Sequence, residues 1–277
     1  MTAAGGMDGV GERLVELKSP REIGKMRSAG AVVARVLARF RDLVAPGVTT
    51  ADLDAAAVEV VRNAGGEMAF LGYRAGHLPP FPASICASVN EEVVHGFPGP
   101  RALAEGDIVS LDVGVRLNGY YGDAAVTLAV GEIDSEADRL LAVTQEGLNR
   151  GIAAARPGGR LSDIARAVES YVTANGFSVV RDYVGHGIGR QLHEEPRVPN
   201  FVSRGLLAND VVLAEGMALA IEPMVNAGSA AVRSLANGWT VVTRDGKRSA
   251  HFEHTVALTA DGVAVLTGRE TAEGETV

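Results

Sequence analysis

Residues 108–126 read IVSLDVGVRLNGYYGDAAV, two apolar stretches joined by an Asn-Gly pair. Asn118 and Gly119 tolerate the positive φ angles of a type I′ turn, so this stretch predicts a β-hairpin. Counting outward from the turn places Gly114 opposite Asp123. The stretch therefore predicts two antiparallel strands whose register is set by a two-residue turn.

Two carboxylates fall on one face of this predicted hairpin. Asp112 is two residues from Gly114 and so shares a face with Asp123 as its diagonal neighbour. Gly114 carries no side chain and is expected to leave room beside them. An unpaired buried carboxylate costs several kcal/mol or takes up a proton, so the pattern indicates a cation between the two groups. For either carboxylate alone, a salt bridge or a strand-end cap is the simpler interpretation.

A second copy of this arrangement follows about 110 residues further along the chain. Residues 103–106 (LAEG) recur at 213–216, and Asp112 and Glu222 each stand six residues after the glycine. The second carboxylate of the hairpin has its counterpart in Glu253, which precedes another apolar strand. The matching series predicts two related α+β halves, each with two carboxylates, and makes chance similarity the weaker explanation.

Each half is also predicted to begin with a pair of helices. Apolar residues recur at helical spacing, and a Pro-Gly pair ends the first helix of each pair, at 46–47 and at 157–158. The two Pro-Gly pairs are 111 residues apart, the same offset as that between Asp52 and Asp163. The start signals of the four helices are Ser19 with Pro20 and Glu22, Thr49 with Asp52, Ser135 with Asp138, and Ser162.

Nitrogen donors are concentrated in residues 184–196, which read VGHGIGRQLHEEP. No strand-to-helix pattern surrounds the glycines, which excludes a dinucleotide fingerprint, and His193 lacks the second histidine of a zinc-protease helix. The segment is interpreted as a Gly-rich strand or loop that carries His186 and His193, and His95 is a third candidate. Each histidine on its own would more often be a hydrogen-bonded structural residue.

Four carboxylates and one imidazole make an oxygen-rich candidate metal site. A lone structural zinc ion normally takes more cysteine or histidine, so this set better suits a carboxylate-bridged site for two metal ions. The four carboxylates carry a charge of −4, which two divalent ions would neutralise. The candidate ligands are Asp112, Asp123, His186, Glu222 and Glu253.

The composition excludes several classes of protein. The 277 residues include 26 Lys and Arg against 34 Asp and Glu, and the net charge of −8 argues against nucleic acid as the main ligand. Hydrophobic residues at 47% and charged residues at 22% exclude a disordered chain. One cysteine, Cys86, excludes an intramolecular disulfide and fits a reducing compartment. Without a long apolar run or a signal sequence, the expected location is the cytoplasm, with no membrane partner.

Seven short segments carry a resemblance to a known family. They are Val94-His95-Gly96, Leu111-Asp112-Val113, Gly122-Asp123, Gly185-His186-Gly187-Ile188-Gly189, His193-Glu194-Glu195-Pro196, Ile221-Glu222-Pro223-Met224 and Phe252-Glu253-His254-Thr255. In these segments the sequence resembles type I methionine aminopeptidases, and the resemblance covers essentially residues 19–267. It implies the duplicated pita-bread fold of creatinases and aminopeptidases, an α+β fold in which an antiparallel sheet is covered by two helix pairs.

The resemblance also implies a reaction. Members of this family remove the initiator methionine from nascent proteins when the second residue is small, by attack of a metal-bridging water on the first peptide bond. Asp123 and Glu253 would bridge two divalent ions, which could be Co, Mn, Fe or Zn. Glu222 would also accept a proton from the water, His193 would donate to the substrate carbonyl, and His95 would contact the substrate near the scissile amide.

The methionine pocket departs from the family pattern. The family usually has a compact Gly-Tyr-His-Gly-Tyr/Phe-Pro segment, whereas residues 74–80 here separate Tyr73 from Phe81. Tyr73, Phe81, Cys86 and Trp239 are the expected pocket walls. Because pockets separate similar side chains by only roughly 10–200-fold, the inserted loop bears on how strictly methionine is selected.

The other histidines and the cysteine thiol receive simpler interpretations. His77 is placed in the variable loop, His254 is expected to face away from Glu253, and His251 is given a structural role. Cys86 is expected to be a packing residue rather than a nucleophile, since no activating pattern surrounds it.

Two alternative functions stay open. The first is a proline-specific peptidase or creatinase relative of the same fold, a group that usually carries a large extra N-terminal domain, which residues 1–18 could not supply. The second is a catalytically silent binding module without metal. Loss of metal ligands would mark such a module, and all five ligand positions carry the expected residue types.

The expected organisation is a flexible leader at 1–18, one catalytic domain at 19–267 and a flexible tail at 268–277. The domain would consist of pseudo-symmetric halves at about 19–133 and 134–267. The expected partners are N-terminal Met peptides and nascent chains, with the protein acting as a monomer. A transient contact with the ribosome is left open.

Overall fold

The computed structural model describes residues 15–268. Most of the predicted leader (1–18) and tail (268–277) therefore lies outside the described residues. Lys18 is already packed, because its side chain is buried and its backbone N–H donates to the carbonyl of Gly216 at 2.6 Å. The packed structure thus begins before residue 19, where the domain was predicted to start.

The described residues form five helices and fifteen strands. The helices are α1 (Pro20–Leu43), α2 (Thr50–Asn63), α3 (Ser135–Ala154), α4 (Leu161–Ala174) and α5 (Arg204–Ala208). The strands of the first half are β1 (Glu67–Met68), β2 (Cys86–Val89), β3 (Glu92–Val94), β4 (Ile108–Leu117) and β5 (Tyr120–Ala129). Those of the second half are β6 (Ser178–Val179), β7 (Gly185–Gly187), β8 (Glu194–Val198), β9 (Ala218–Ile221), β10 (Met224–Asn226), β11 (Val232–Ser234), β12 (Val241–Thr243), β13 (Ser249–His251), β14 (His254–Thr259) and β15 (Gly262–Val265).

Helices α1 and α2 begin at the predicted capping boxes. The Ser19 side chain accepts from the backbone N–H of Glu22, and the Glu22 carboxylate accepts from the N–H of Ser19 at 2.9 Å. Thr49 and Asp52 repeat this exchange in front of α2. A cap of this kind stabilises a helix by about 1 kcal/mol, because it satisfies amides that have no partner within the helix.

The second helix pair starts differently. Helix α3 is capped by Asp134, whose carboxylate accepts from the N–H of Ala137 at 2.9 Å, so the predicted cap at Ser135 was wrong by one residue. Helix α4 follows Arg160, whose N–H donates to Asp163 at 2.8 Å. No hydroxyl stands at this position, and only the carboxylate half of the capping box is retained.

The helices cover the outside of the sheets. Phe40 of α1 and Leu140 of α3 are fully buried in the main hydrophobic core, which also contains Leu111 of β4 and Ile221 of β9. None of the helices between residues 15 and 268 has the length and apolar character that crossing a bilayer requires.

Two larger antiparallel sheets carry the fold. The first has the order β1-β4-β2 with β5 paired to β4, and the second has the order β15-β14-β9-β7-β8. The two sheets are joined where Ala125 and Glu253 exchange backbone hydrogen bonds, with N···O distances of 3.3 and 3.0 Å. Thr255 also exchanges hydrogen bonds with the backbone of Asp123, at 3.0 and 2.8 Å. These links place Asp123 and Glu253 side by side.

The hairpin prediction is confirmed. Gly114 pairs with Asp123, and Asn118 and Gly119 have φ angles of 52° and 81°, as a type I′ turn requires. Gly114 leaves room as expected, because a Cβ at this residue would lie 2.7 Å from Cε1 of Phe70. The aromatic ring of Phe70 fills that space.

Equivalent backbone contacts recur in the two halves. The N–H of Gly47 donates to the carbonyl of Leu103 at 2.7 Å, and the N–H of Gly158 donates to that of Leu213 at 2.8 Å. The donors are 111 residues apart and the acceptors 110 residues apart. This correspondence supports the interpretation of the domain as two related halves.

Candidate metal centre

A cavity of about 180 Å³ lies where the two larger sheets meet. Every site residue predicted from the sequence lines this cavity, and Phe70, Ala75 and Leu192 complete its wall. The predicted residues that the structure brings together are Tyr73, Phe81, Cys86, His95, Asp112, Asp123, His186, His193, Glu222, Trp239 and Glu253.

Each half supplies two carboxylates from neighbouring strands. Asp112 lies on β4 and Asp123 on β5, whereas Glu222 directly follows β9 and Glu253 directly precedes β14. Asp123 and Glu253 are 4% and 2% exposed, so these two carboxylates are almost completely withdrawn from water. The pairing of β9 with β14 brings Ile221 opposite His254, which aligns the two glutamates beside each other.

His186 is oriented as a metal ligand. It lies on β7 opposite Ala220 of β9, and its Nδ1–H donates to the carbonyl of Gly187 at 2.8 Å. The unprotonated Nε2 therefore faces the carboxylates, 3.6 Å from Glu222 Oε1 and 3.9 Å from Asp123 Oδ2. Burial lowers the pKa of His186 to about 3, which keeps the ring neutral and its lone pair available.

The carboxylates are unfavourable without a cation. Asp112 Oδ1, Asp123 Oδ1 and Glu253 Oε1 are buried without a hydrogen-bond partner. Burial raises the pKa of Asp123 to about 7. Burial, together with the neighbouring carboxylates, also raises the pKa values of Asp112, Glu222 and Glu253 well above their usual range. A divalent ion would bind the unpartnered oxygens and would offset the repulsion between the carboxylates. The residues present therefore fit a metal.

The donor geometry agrees with this chemistry. One ligand atom from each of Asp123, His186 and Glu253 lies within 4.8 Å of the other two, and all three side chains are buried. Carboxylate oxygens with a single imidazole nitrogen match the preferences of several first-row divalent ions. These three side chains alone can hold an ion between the two halves of the domain.

His193 stands at the outer edge of the cavity. Its ring lies 4.2 Å from that of His186, and its Nδ1 is 2.8 Å from the hydroxyl oxygen of Tyr73. Burial and the charge of Asp123 raise the pKa of Tyr73, so the hydroxyl keeps its proton. A proton donated by Tyr73 to Nδ1 would leave the N–H of His193 on Nε2.

His95 is held in an uncommon backbone conformation. Its φ angle is 61°, in the left-handed region that non-glycine residues rarely adopt. Its ring lies edge-on to Trp239 and Tyr183, with centroid distances of 5.8 and 5.7 Å. Burial, with a smaller contribution from His193, lowers the pKa of His95 to about 4. A neutral imidazole in a strained loop at a cavity is typical of functional residues.

Aromatic rings form the apolar end of the cavity. Phe81 packs edge-on against Phe70, Phe97 and Trp239, with centroid distances of 6.4, 5.3 and 5.3 Å. The buried thiol of Cys86 also lines this end, and burial beside Asp112 raises its pKa well above the usual range. The thiol therefore stays protonated, which agrees with packing rather than nucleophilic chemistry.

The loop at 74–80 leaves this apolar end in place. The N–H of Gly72 donates to the carbonyl of Phe81 at 2.9 Å, and the N–H of Phe81 donates to that of Tyr73 at 2.8 Å. These two bonds close the base of the loop. The indole N–H of Trp239 donates to the carbonyl of Pro79 at 2.8 Å and ties the loop to the pocket wall.

Three features of the site were missed from the sequence. Phe70 lines the cavity. The signal available in the sequence was Gly114, whose missing side chain leaves the space that the Phe70 ring fills. Lys18 forms a buried ion pair with Glu194 at 2.6 Å, directly behind the segment that carries His193. His251, which was given only a structural role, places its unpartnered Nε2 3.8 Å from Glu222 Oε2.

A wider groove of about 690 Å³ adjoins the cavity. His186 and His193 line both, so the groove leads directly to the candidate ligands. Its other walls include Tyr183, Gln191 and Arg197. A cavity with an aromatic end that adjoins a groove lined by polar residues suits a peptide whose first side chain is buried while the rest stays in solvent.

Comparisons with known proteins agree with this geometry. The model of metallopeptidase family M24 matches residues 24–260. The chain is 49% identical over 254 residues to methionine aminopeptidase 1 of Bacillus subtilis (strain 168), covering 92% of this chain and 99% of that protein. The crystal structure of a methionine aminopeptidase from Thermotoga maritima has a TM-score of 0.86 at 46% identity, covering 92% of this chain and 99% of that one. The predicted pita-bread α+β fold is confirmed by this likeness.

More distant structures share the fold alone. Prolidase from Pyrococcus furiosus has a TM-score of 0.69 at 20% identity, and the match covers 92% of this chain and 66% of the prolidase chain. The likeness to prolidase therefore carries no argument about substrate.

Proposed function

The chain belongs to metallopeptidase family M24 and to its methionine aminopeptidases, and on this premise we propose that it removes an N-terminal methionine when the second residue is small. The single observation that carries the proposal is the buried cluster of Asp123, His186 and Glu253 at the end of an aromatic pocket. Residues that could hold a metal ion beside a pocket for an apolar side chain support a hydrolase for peptides that begin with such a residue.

We propose that two divalent ions occupy the centre, with Asp123 and Glu253 bridging them. Four carboxylates surround the site, and two divalent ions balance their charge. When bound, the ions would lower the pKa of a coordinated water and polarise the scissile carbonyl. Co, Mn, Fe and Zn all suit this donor set, so the ion that is most available in the cell would decide. The full set of proposed ligands is Asp112, Asp123, His186, Glu222 and Glu253.

Glu222 is proposed to move the proton. Its side chain is 14% exposed, which makes it more open than Asp123 and Glu253, and its Oε1 lies 3.6 Å from His186 Nε2. Its carboxylate is therefore placed to take a proton from the attacking water and deliver it to the leaving amine.

His193 and His95 are proposed to position the substrate. With Tyr73 donating to Nδ1, the Nε2–H of His193 is free to donate to the substrate carbonyl as negative charge develops there. The neutral ring of His95 also lines the cavity, where it would contact the scissile amide.

The methionine side chain is proposed to bind against Tyr73, Phe81, Cys86 and Trp239, with Phe70 as an added wall. Burying a methionine side chain contributes about 1.5–3 kcal/mol, and sulfur–aromatic contacts add about 0.3–1.5 kcal/mol. The inserted loop closes at its base, so it is proposed to leave methionine selection intact.

We also propose a cellular setting for this activity. The protein is proposed to act in the cytoplasm as a monomer on nascent chains, with a transient ribosome contact as part of that setting. Residues 19–267 are proposed as one catalytic domain of two halves, flanked by a flexible leader and tail. The net charge of −8 supports a peptide substrate over nucleic acid.

The test uses purified protein loaded with Co²⁺ or Mn²⁺. It should release methionine from Met-Ala and Met-Gly peptides, spare Met-Lys peptides, and lose activity with a chelator. Glu222→Gln should still bind peptide and metal but turn over about 10²–10⁴-fold more slowly, because proton transfer is lost. Cleavage of X-Pro peptides with none of Met-Ala would contradict the proposal in favour of a proline-specific peptidase. Near-normal turnover by Glu222→Gln would remove its proton-transfer role.

A further inference from the structure

His251 is the one histidine at the centre to which the proposed mechanism gives no role. It ends strand β13, is only 2% exposed, and pairs with Met224 of β10, two residues beyond Glu222. Its Nε2 lies 3.8 Å from Oε2 of Glu222, so the ring stands beside this glutamate.

The backbone of His251 is firmly held. Its N–H donates to Thr127 Oγ1 at 2.8 Å, and the Thr127 hydroxyl donates back to the carbonyl of His251 at 2.8 Å. The same hydroxyl oxygen lies 2.9 Å from Ser110 Oγ. Strands β4, β5 and β13 thus fix the position from which the imidazole extends.

The imidazole of His251 lacks one hydrogen bond. Its Nε2 is buried without a hydrogen-bond partner, and the nearby acceptor is Oε2 of Glu222 at 3.8 Å. A buried polar atom left unpaired costs about 1–3 kcal/mol, so such atoms normally have partners. The other oxygen of the same carboxylate, Oε1, faces His186 Nε2 at 3.6 Å. Glu222 is therefore placed between two imidazoles, one for each oxygen.

We propose that His251 is a positioning residue for Glu222. Its neutral imidazole donates the Nε2–H to Glu222 Oε2, which turns Oε1 toward His186 and the metal centre. A shift of less than 1 Å closes the 3.8 Å separation to hydrogen-bond distance. The inference rests on the proposed function, since that function makes Glu222 both a metal ligand and the residue that transfers the proton. His251 itself touches neither substrate nor the reacting atoms.

The proposal explains why an imidazole is buried here. A residue needed only for packing would be apolar, since a histidine leaves a buried nitrogen to satisfy. Partners of metal-binding carboxylates and imidazoles orient the ligands, and their loss typically lowers metal affinity or activity by 10–100-fold. His251 fits that description through Glu222, as Gly187 does through His186.

The test measures metal affinity by calorimetry and turnover of Met-Ala peptide in matched variants. His251→Leu should lower metal affinity or kcat by about 10–100-fold with little change in KM. His251→Gln, which keeps a side-chain N–H donor, should recover most of that loss. His254→Leu is the control, because His254 adjoins Glu253 yet bonds to Thr267 on the other side, at 2.9 Å. His254→Leu should change thermal stability but should leave metal affinity and kcat close to those of the unsubstituted protein.

A double-mutant cycle separates positioning from packing. In the Glu222→Gln background, His251→Leu should lower metal affinity by much less than it does alone, because an amide oxygen accepts this hydrogen bond more weakly than a carboxylate does. Full additivity, or equal behaviour of His251→Gln and His251→Leu, would overturn the proposal. Because metal affinity is read directly, the result holds even if Met-Ala is not cleaved, which would count only against the proposed function.

If His251→Leu does not fold, spectra of folded proteins decide the matter. In ¹⁵N-histidine-labelled, metal-loaded protein, the Nε2–H resonance of His251 should appear far downfield, as for a hydrogen bond to carboxylate. Glu222→Gln should move it upfield, and His254→Leu should leave it unchanged. An Nε2 without a proton, or a resonance indifferent to Glu222→Gln, would show that His251 does not hold this carboxylate.

Discussion

The two halves of the domain place their carboxylates in equivalent positions but surround them with different neighbours. In the first half, strand β2 lies beside β4, and Cys86 faces Asp112 across the ladder. In the second half, strand β7 lies beside β9, and His186 faces Ala220, two residues before Glu222. One half therefore adds a thiol that lines the apolar pocket, and the other adds an imidazole that faces the carboxylates.

Because of this difference, a duplicated scaffold forms a cavity whose two ends differ in chemistry. The carboxylates follow the repeat and meet at the junction of the sheets, where their charge indicates cations. The residues on the adjacent strands do not follow the repeat. Cys86 contributes to the aromatic end of the cavity, whereas His186 contributes a donor atom. Symmetry thus accounts for the four carboxylates, and departure from it accounts for the imidazole beside them and for the thiol at the aromatic end of the cavity.

The largest expected effect comes from the pair that joins the halves. Asp123→Asn and Glu253→Gln should each reduce metal content and lower kcat/KM by about 10³-fold or more, because each removes a buried ligand worth several kcal/mol. Metal analysis and Met-Ala kinetics measure both. Similar losses of metal in the two variants would support equivalent roles for Asp123 and Glu253. Normal metal content in either variant would show that the two residues are not equivalent.

A smaller effect separates the two adjacent strands. His186→Ala should lower metal affinity by about 100-fold, whereas Cys86→Ala should leave metal affinity unchanged and raise KM for Met-Ala by less than about 10-fold. Titration of the metal and steady-state kinetics distinguish the two variants. If Cys86→Ala lost metal to the same degree as His186→Ala, the division into a metal end and a pocket end would be wrong.

The smallest expected effect concerns pH. The pKa of Asp123 is raised from 3.8 to about 7, so between these values the metal-free native state keeps a proton that the unfolded chain has lost. The free energy of unfolding of chelated protein should therefore fall as the pH rises from 5 to 7. Metal should restore it increasingly over the same range, because ions compete with protons for these carboxylates.

Calorimetry at pH 5, 6 and 7, with metal and with chelator, measures this effect. The difference in Tm between metal-loaded and metal-free protein should grow with pH by several degrees. Asp123→Asn is the control and should flatten the trend in the chelated protein. A difference in Tm that shrinks as the pH rises would contradict mutual repulsion between the two halves.

Much of the first half could be predicted because its information is local. The register that sets Asp112 beside Asp123 follows from one Asn-Gly turn, and the caps of α1 and α2 involve residues three apart. The site residues of the second half were harder to predict from the sequence, because β9 and β14 are separated by four intervening strands. There the repeat, rather than local spacing, identified Glu222 and Glu253 as candidates.

The hairpin, the helix pairs and the set of residue types that could bind a metal follow from the amino-acid sequence alone, because they depend on turn chemistry, periodicity and charge. The packing of Phe70 at Gly114, the closed base of the loop at 74–80 and the position of His251 beside Glu222 emerge only in the folded chain. These outcomes depend on close packing between residues distant in the chain, and a side chain's neighbours there are set by the whole fold.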